Sequence, residues 1–241
     1  MSAENFVIKI AEIKIGIEPR SDRMAKFCQR FLCDDAPDFT VHANDRDIEG
    51  ERERMIHNMG YANASDFIVE KFFIYRQIAE HLPGYDTFLI HGTALRVDHD
   101  AYLLTGPSGA GKTTHARLWK KEFGDRMRVI NDDKPLLRII DDEIMACSSP
   151  WTGKERWYNN INAPLKAVIQ VSQAKENSIA PMKREDAWNH MMNQIYRSTN
   201  ADNTKQTLDF IDKLIRSIPV YDLKCNRAPE AVLMAYAAAS K

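Results

Sequence analysis

Isoleucines at positions 8, 10, 13, 15 and 17 fall with a period of two over the second half of residues 6–17, and this predicts a strand. Glu18 to Asp22 reads as a turn, with Ser21 or Asp22 as the cap of a helix running to about Leu32; Asp34-Asp35-Ala36-Pro37 ends it. Phe39–His42 is a second short strand. The charge-dense run 44–58 predicts a solvated helix. Ser65-Asp66 caps the next helix, Phe67 to His81, whose Phe67, Ile68, Phe72, Ile74, Tyr75, Ile78 and Ala79 form a broad apolar face. Leu82-Pro83-Gly84 closes that segment.

Beyond it the pattern tightens. Residues 87–90, 94–97 and 101–105 are three short apolar strands separated by His91-Gly92 and by a turn through Asp98-His99-Asp100. Such spacing predicts antiparallel pairing and a mixed sheet, because a plain parallel sheet needs a crossover after each strand. A helix follows over 114–123 and a strand over 127–130. Residues 135–140 and 143–147 form a hairpin across Asp141-Asp142, a solvated turn. Residues 165–171 and 220–223 are further strands. Helices are predicted over 185–196, 206–217 and 229–240. In the first of these Met191, Met192 and Ile195 read as core, and His190 as structural or exposed. The fold class is α/β, in two parts: an extension over 1–85, packed on the core and without a catalytic motif, and a core over 86–241.

The chemistry concentrates after the strand 101–105. Gly106-Pro107-Ser108-Gly109-Ala110-Gly111-Lys112-Thr113, followed by Thr114, fits G-x-x-x-x-G-K-[ST], the phosphate-cradling P-loop, and strand, loop and helix come in the order that motif requires. The nucleotide-binding candidates are therefore Gly106, Ser108, Gly109, Ala110, Gly111, Lys112, Thr113 and Thr114. Lys112 reaches the β- and γ-phosphates, and the Thr113 hydroxyl ligates Mg²⁺. Strand 127–130 empties into Asn131-Asp132-Asp133, carboxylates suited to a hard cation. The loop 148–156 brings Trp151, Gly153, Lys154 and Arg156; either cation would neutralise charge on a transferring phosphoryl group.

Composition changes this picture little. The 241 residues carry 33 basic and 34 acidic side chains, a net charge of −1, which gives no bulk attraction to nucleic acid or membrane. No apolar run is long enough for a membrane span, and residues 1–5 lack a signal-peptide pattern. Cys28, Cys33, Cys147 and Cys225 do not complete a zinc site, so reduced thiols and a cytoplasmic location are expected.

His91-Gly92, the segment 106–113 and Asn131-Asp132-Asp133, in this order and spacing, resemble the kinase core of HPr kinase/phosphorylase, itself related to phosphoenolpyruvate carboxykinase. Thr113-Thr114 is more similar to the carboxykinase loop, and Ser149-Pro150-Trp151-Thr152-Gly153-Lys154-Glu155 resembles short bacterial HPr-kinase-like proteins. The resemblance implies a P-loop kinase core with a mixed sheet, and ATP and Mg²⁺ as its ligands. It implies transfer of the γ-phosphoryl group to a hydroxyl, with one of Asp133 and Asp132 as base, Asp132 and Thr113 at the metal, and His91 beside the phosphates. The acceptor, a carrier protein, peptide or small molecule, is open. Self-association is compatible with the resemblance. Carboxykinase-like decarboxylation and nucleotide binding without turnover are the alternatives.

Overall fold

The isoleucine run at residues 6–17 folds as a hairpin rather than one strand. β1 (Phe6–Ile10) turns back into β2 (Ile13–Glu18), pairing Ile8 with Ile15 and Ile10 with Ile13. Ala11 and Glu12 at the turn both have positive φ, 46° and 61°, the geometry of a two-residue hairpin loop. Neither is a residue type that announces such a turn, so the alternation on both sides reads as continuous. The computed structural model describes residues 3–240, and the chain divides into two compact units, Met1–Tyr85 and Asp86–Lys241.

In the first unit, α1 (Arg23–Cys28) is shorter than predicted and passes through a 3-10 turn, Gln29–Phe31, into β3 (Leu32–Cys33). β4 (Phe39–His42) lies parallel to β2, completing a four-stranded sheet in the order β3-β1-β2-β4. α2 (Asp45–Met59) starts with a reciprocal capping box between Asn44 and Asp47. α3 (Asp66–His81) follows, burying Val69, Ile74 and Ile78.

The second unit is built on a nine-stranded mixed sheet. Its elements are β5 (Thr87–Leu89), β6 (Thr93–Val97), β7 (Asp100–Thr105), α4 (Lys112–Phe123), β8 (Met127–Asn131), β9 (Leu136–Ile140), β10 (Glu143–Cys147), β11 (Asn162–Gln173), β12 (Ser178–Pro181), α5 (Arg184–Met192), α6 (Ala201–Ser217), β13 (Val220–Cys225) and α7 (Glu230–Ala239). The strand order is β5-β9-β10-β11-β7-β6-β8, and β13 joins β11 and carries β12. Among the described residues the parallel pairings in this sheet are β7 with β11 and β11 with β13; its other pairings are antiparallel. β6 and β7 form the expected hairpin, but β5 does not pair with them; it crosses to the other edge and pairs with β9. α5 ends at Met192, four residues before the predicted end, and β12 has no counterpart among the predicted strands.

The two faces of the sheet are covered separately. Leu103, Val168 and Val220 face α5 and α6, packing with Met191, Phe210, Ile211 and Leu214. Leu104, Ile169 and Leu223 face α4 and α7, packing with Trp119, Val232 and Ala235. All four cysteines are free thiols. Among the described residues no helix is long and apolar enough to cross a membrane.

Candidate active site

Strand direction gathers the candidate residues at one end of the sheet. β7 ends at Thr105, and its antiparallel neighbour β6 begins at that end, with Thr93 opposite Leu104. β8 runs antiparallel to β6 and ends there too, with Asn131 opposite Ala94. The glycine-rich loop after β7, His91-Gly92 before β6 and Asp132-Asp133 after β8 thus share one edge. At ~4.8 Å per strand the loop and the aspartate pair lie about 10 Å apart, with His91-Gly92 between them.

The loop is held open by its glycines. Gly106 has φ 132°, and a Cβ there would meet the Val171 carbonyl oxygen at 2.8 Å, so a side chain is excluded both by conformation and by β11. Gly111 is the N-cap of α4 in the left-handed region, and no side chain caps the helix. The first-turn amides, which no helix satisfies internally, remain available to an anion. The Lys112 ammonium folds back to donate to the carbonyls of Gly106 at 2.7 Å and Pro107 at 3.2 Å. Gln173 Nε2 donates to the Gly109 carbonyl at 2.8 Å. Ser108 and Gly109 are exposed, while Ala110, Thr113 and Thr114 are half-buried.

The aspartate pair is organised by Asn131, which is fully buried. Its Oδ1 accepts the amides of Asp133 at 2.9 Å and Lys134 at 2.7 Å, making a turn. Its Nδ2 donates to the carbonyls of Ser149 and Trp151. Asp132, 8% exposed, accepts the Gly153 amide at 2.8 Å on one oxygen and the Trp157 amide at 3.2 Å on the other. Burial raises its proton affinity, and those two amides oppose the shift. A Cβ on Gly153 would come within 3.3 Å of Asp133 Cβ, so the loop lies close against the pair.

Asp133 is the more accessible carboxylate. It stands 3.4 Å from His91 Nε2 and 2.9 Å from Lys134 Nζ. Burial, followed by Lys134 and Lys112, holds His91 below its usual pKa, with Asp133 pulling the other way. The shift favours the uncharged ring. Burial lowers the Lys112 pKa as well; Asp133 opposes this and Lys134 adds to it. Lys112, His91, Asp133 and Lys134 thus form one electrostatic group.

No family model matches this chain, and neither does any curated relative. Solved structures do. Among them is the HPr(Ser) kinase/phosphatase from Coxiella burnetii, at 11% identity and a TM-score of 0.35, covering 62% of this chain and 86% of that one. The likeness is distant and carries no functional weight; the geometry of the site does.

Lys154 and Arg156 are exposed on the loop that holds Asp132. The same loop reaches α4 through Glu155, which accepts from Arg117 at 2.8 Å, while the Arg117 guanidinium lies 5.4 Å from the Trp157 ring centre. Sequence reasoning missed Asn131 as organiser, although an asparagine ahead of two aspartates is a familiar turn signal. It also missed Lys134, which sits beside Asp133 in the chain, and the Gly153 and Trp157 amides, which no sequence pattern reports.

Proposed function

We propose that this chain is an ATP-dependent kinase of the P-loop type that transfers the γ-phosphoryl group to a hydroxyl, of a serine or threonine in a protein or peptide. The observation that carries this is the grouping of Lys112, His91 and Asp133 at the mouth of the glycine-rich loop: Asp133 stands 3.4 Å from His91 Nε2, and its charge acts on both His91 and Lys112. In this proposal the loop amides and Lys112 bind the β- and γ-phosphates, with Lys112 exchanging its carbonyl partners for phosphate oxygens. Asp133 is the base: its accessible carboxylate takes the acceptor hydroxyl proton as that oxygen bonds to the γ-phosphorus and the bond to the β-phosphate oxygen breaks. His91 orients Asp133.

Thr113 and Asp132 would hold Mg²⁺. The donor set fits, since each Asp132 oxygen accepts one amide and keeps a second lone pair, and magnesium in such sites takes one or two carboxylates with phosphate and water completing the shell. The ion supplies neutralisation of charge on the transferring group. Lys154 and Arg156 are proposed as contacts to phosphate or acceptor.

The test is calorimetric titration with MgATP together with labelled-ATP transfer to protein, peptide and small-molecule hydroxyls. Lys112→Ala is expected to abolish binding. Asp133→Asn is expected to keep binding within a few-fold and to lower transfer by at least about a hundredfold, the scale of general-base loss. Full transfer by both Asp132→Asn and Asp133→Asn would overturn the base assignment. Oxaloacetate-dependent consumption of ATP would favour carboxykinase chemistry, and binding without any product would favour a nucleotide-sensing module.

A further inference from the structure

The residue immediately before the glycine-rich loop is tied to a helix from far along the chain. Thr105, fully buried at the end of β7, has its hydroxyl 2.7 Å from His190 Nε2 on α5. The same hydroxyl lies 3.4 Å from the Ile169 carbonyl on β11. The next residue is Gly106, whose backbone is pressed against the Val171 carbonyl. The root of the loop is therefore clamped on one side by β11 and on the other by His190.

The exit of the same helix holds the second half of the site. The Gln194 carbonyl accepts the His91 amide at 2.7 Å, Ile195 bridges Ile90, and the Tyr196 amide donates to Leu89. Between His190 and Tyr196 the chain touches both the strand end that launches the loop and the segment that carries His91. Met191, between them, is fully buried in the cluster below the sheet, which fixes the helix in place.

We propose that His190 is a positioning residue: through its bond to the Thr105 hydroxyl it sets the glycine-rich loop against His91, with the exit of α5 as the strap between them. The consequence for nucleotide binding rests on the kinase reading given above; the consequence for loop order does not.

His190 is well suited to the task because burial pushes its pKa down to about 4, partly opposed by Asp222, so the ring stays neutral and holds one hydrogen-bonding pattern through the physiological range. The neutral ring donates to the hydroxyl or accepts from it; in the first case the hydroxyl is free to donate to Ile169.

Two measurements on the full chain decide the matter. The first is amide hydrogen exchange of residues 106–111 in His190→Ala, His190→Gln, Thr105→Val and the double variant His190→Ala/Thr105→Val, with Met192→Ala as a control that loosens α5 packing without touching Thr105. His190→Ala and Thr105→Val should each speed loop exchange by about fivefold or more, the size expected for one net hydrogen bond. The double variant should go no further than the singles, His190→Gln should restore most of the protection, and Met192→Ala should leave the loop unchanged. The second is MgATP affinity, in which His190→Ala should weaken binding several-fold without matching Lys112→Ala.

Loop exchange unchanged in His190→Ala, or additive in the double variant, overturns the inference. A loop response equal in Met192→Ala and His190→Ala overturns it also, because it would report only a loosened helix. If no form of the chain binds MgATP, the kinase reading fails while the exchange measurement still judges the strap.

Discussion

His115 shows how a single buried group makes stability depend on pH. Its Nδ1 accepts the indole N–H of Trp119 at 2.8 Å, Nε2 has no partner, and the residue is 2% exposed. Burial pushes its pKa down to about 4. The unfolded chain therefore binds a proton at this site near pH 6.5 and the folded chain does not. Stability is fully present above the unfolded value and is lost as pH falls toward 4, by about 3 kcal/mol at the lower end. His190 acts in the same direction. Urea midpoints should fall between pH 6.5 and 4, and His115→Gln should flatten part of that slope; a slope unchanged in the variant would refute the assignment. His91 gives a second residue-scale prediction. Lys134 is, after burial, the largest influence lowering its pKa, so Lys134→Met should move the His91 titration upward in an NMR pH series. The candidate residues could be picked out from motif and spacing because they lie in short contiguous runs. Asn131 could not, because its importance comes from Ser149 and Trp151, 18 and 20 residues away.

Among the elements, the loop between β10 and β11 depends most on a few polar bonds. Asn131 ties it at Ser149 and Trp151, Asp132 at Gly153 and Trp157, and Ser148 Oγ donates to the Ile130 carbonyl at 2.8 Å. Removing the Asn131 side chain takes the acceptor from the part-buried amides of Asp133 and Lys134 and a donor from the buried Ser149 carbonyl. Asn131→Ala should cost about 2 kcal/mol or more in urea unfolding, at 1–3 kcal/mol for each buried polar group left unpaired. Trypsin should then cut faster at the exposed Lys154 and Arg156; cleavage as slow as in the parent chain would show that the loop is held by other means. The same scale explains which elements were legible. The hairpin across Asp141-Asp142 was readable because both aspartates tolerate positive φ, here 49° and 70°. The hairpin across Ala11-Glu12 uses the same geometry with residues that give no signal. β12 was missed because Ser178–Pro181 is short, largely exposed and ends in proline.

At the scale of the molecule, local pairing was visible in the pattern and long-range pairing was not. β6 and β7 are joined by a tight turn, so their hairpin follows from spacing. The pairings of β5 with β9, and of β7 with β11 and β11 with β13, join segments about fifty to seventy residues apart, and alternation along one strand says nothing of its distant neighbour. Those distant pairings nonetheless make residues 86–241 a unit with its own interior: one apolar cluster on each face of the nine-stranded sheet, each built wholly from residues within that span. The glycine-rich loop, His91, the aspartate pair and the loop carrying Lys154 all belong to it. A fragment of residues 86–241 should therefore fold by itself, because burial on both sheet faces is the main force available to it. The expected result is a cooperative thermal transition in the fragment, and an upward shift of that transition with MgATP that Lys112→Ala removes. A fragment that binds a hydrophobic dye and melts without a transition would show that 86–241 draws essential support from 1–85. A fragment that folds but ignores MgATP, beside a full chain that responds, would assign residues 1–85 a part in nucleotide binding that nothing in their sequence announces.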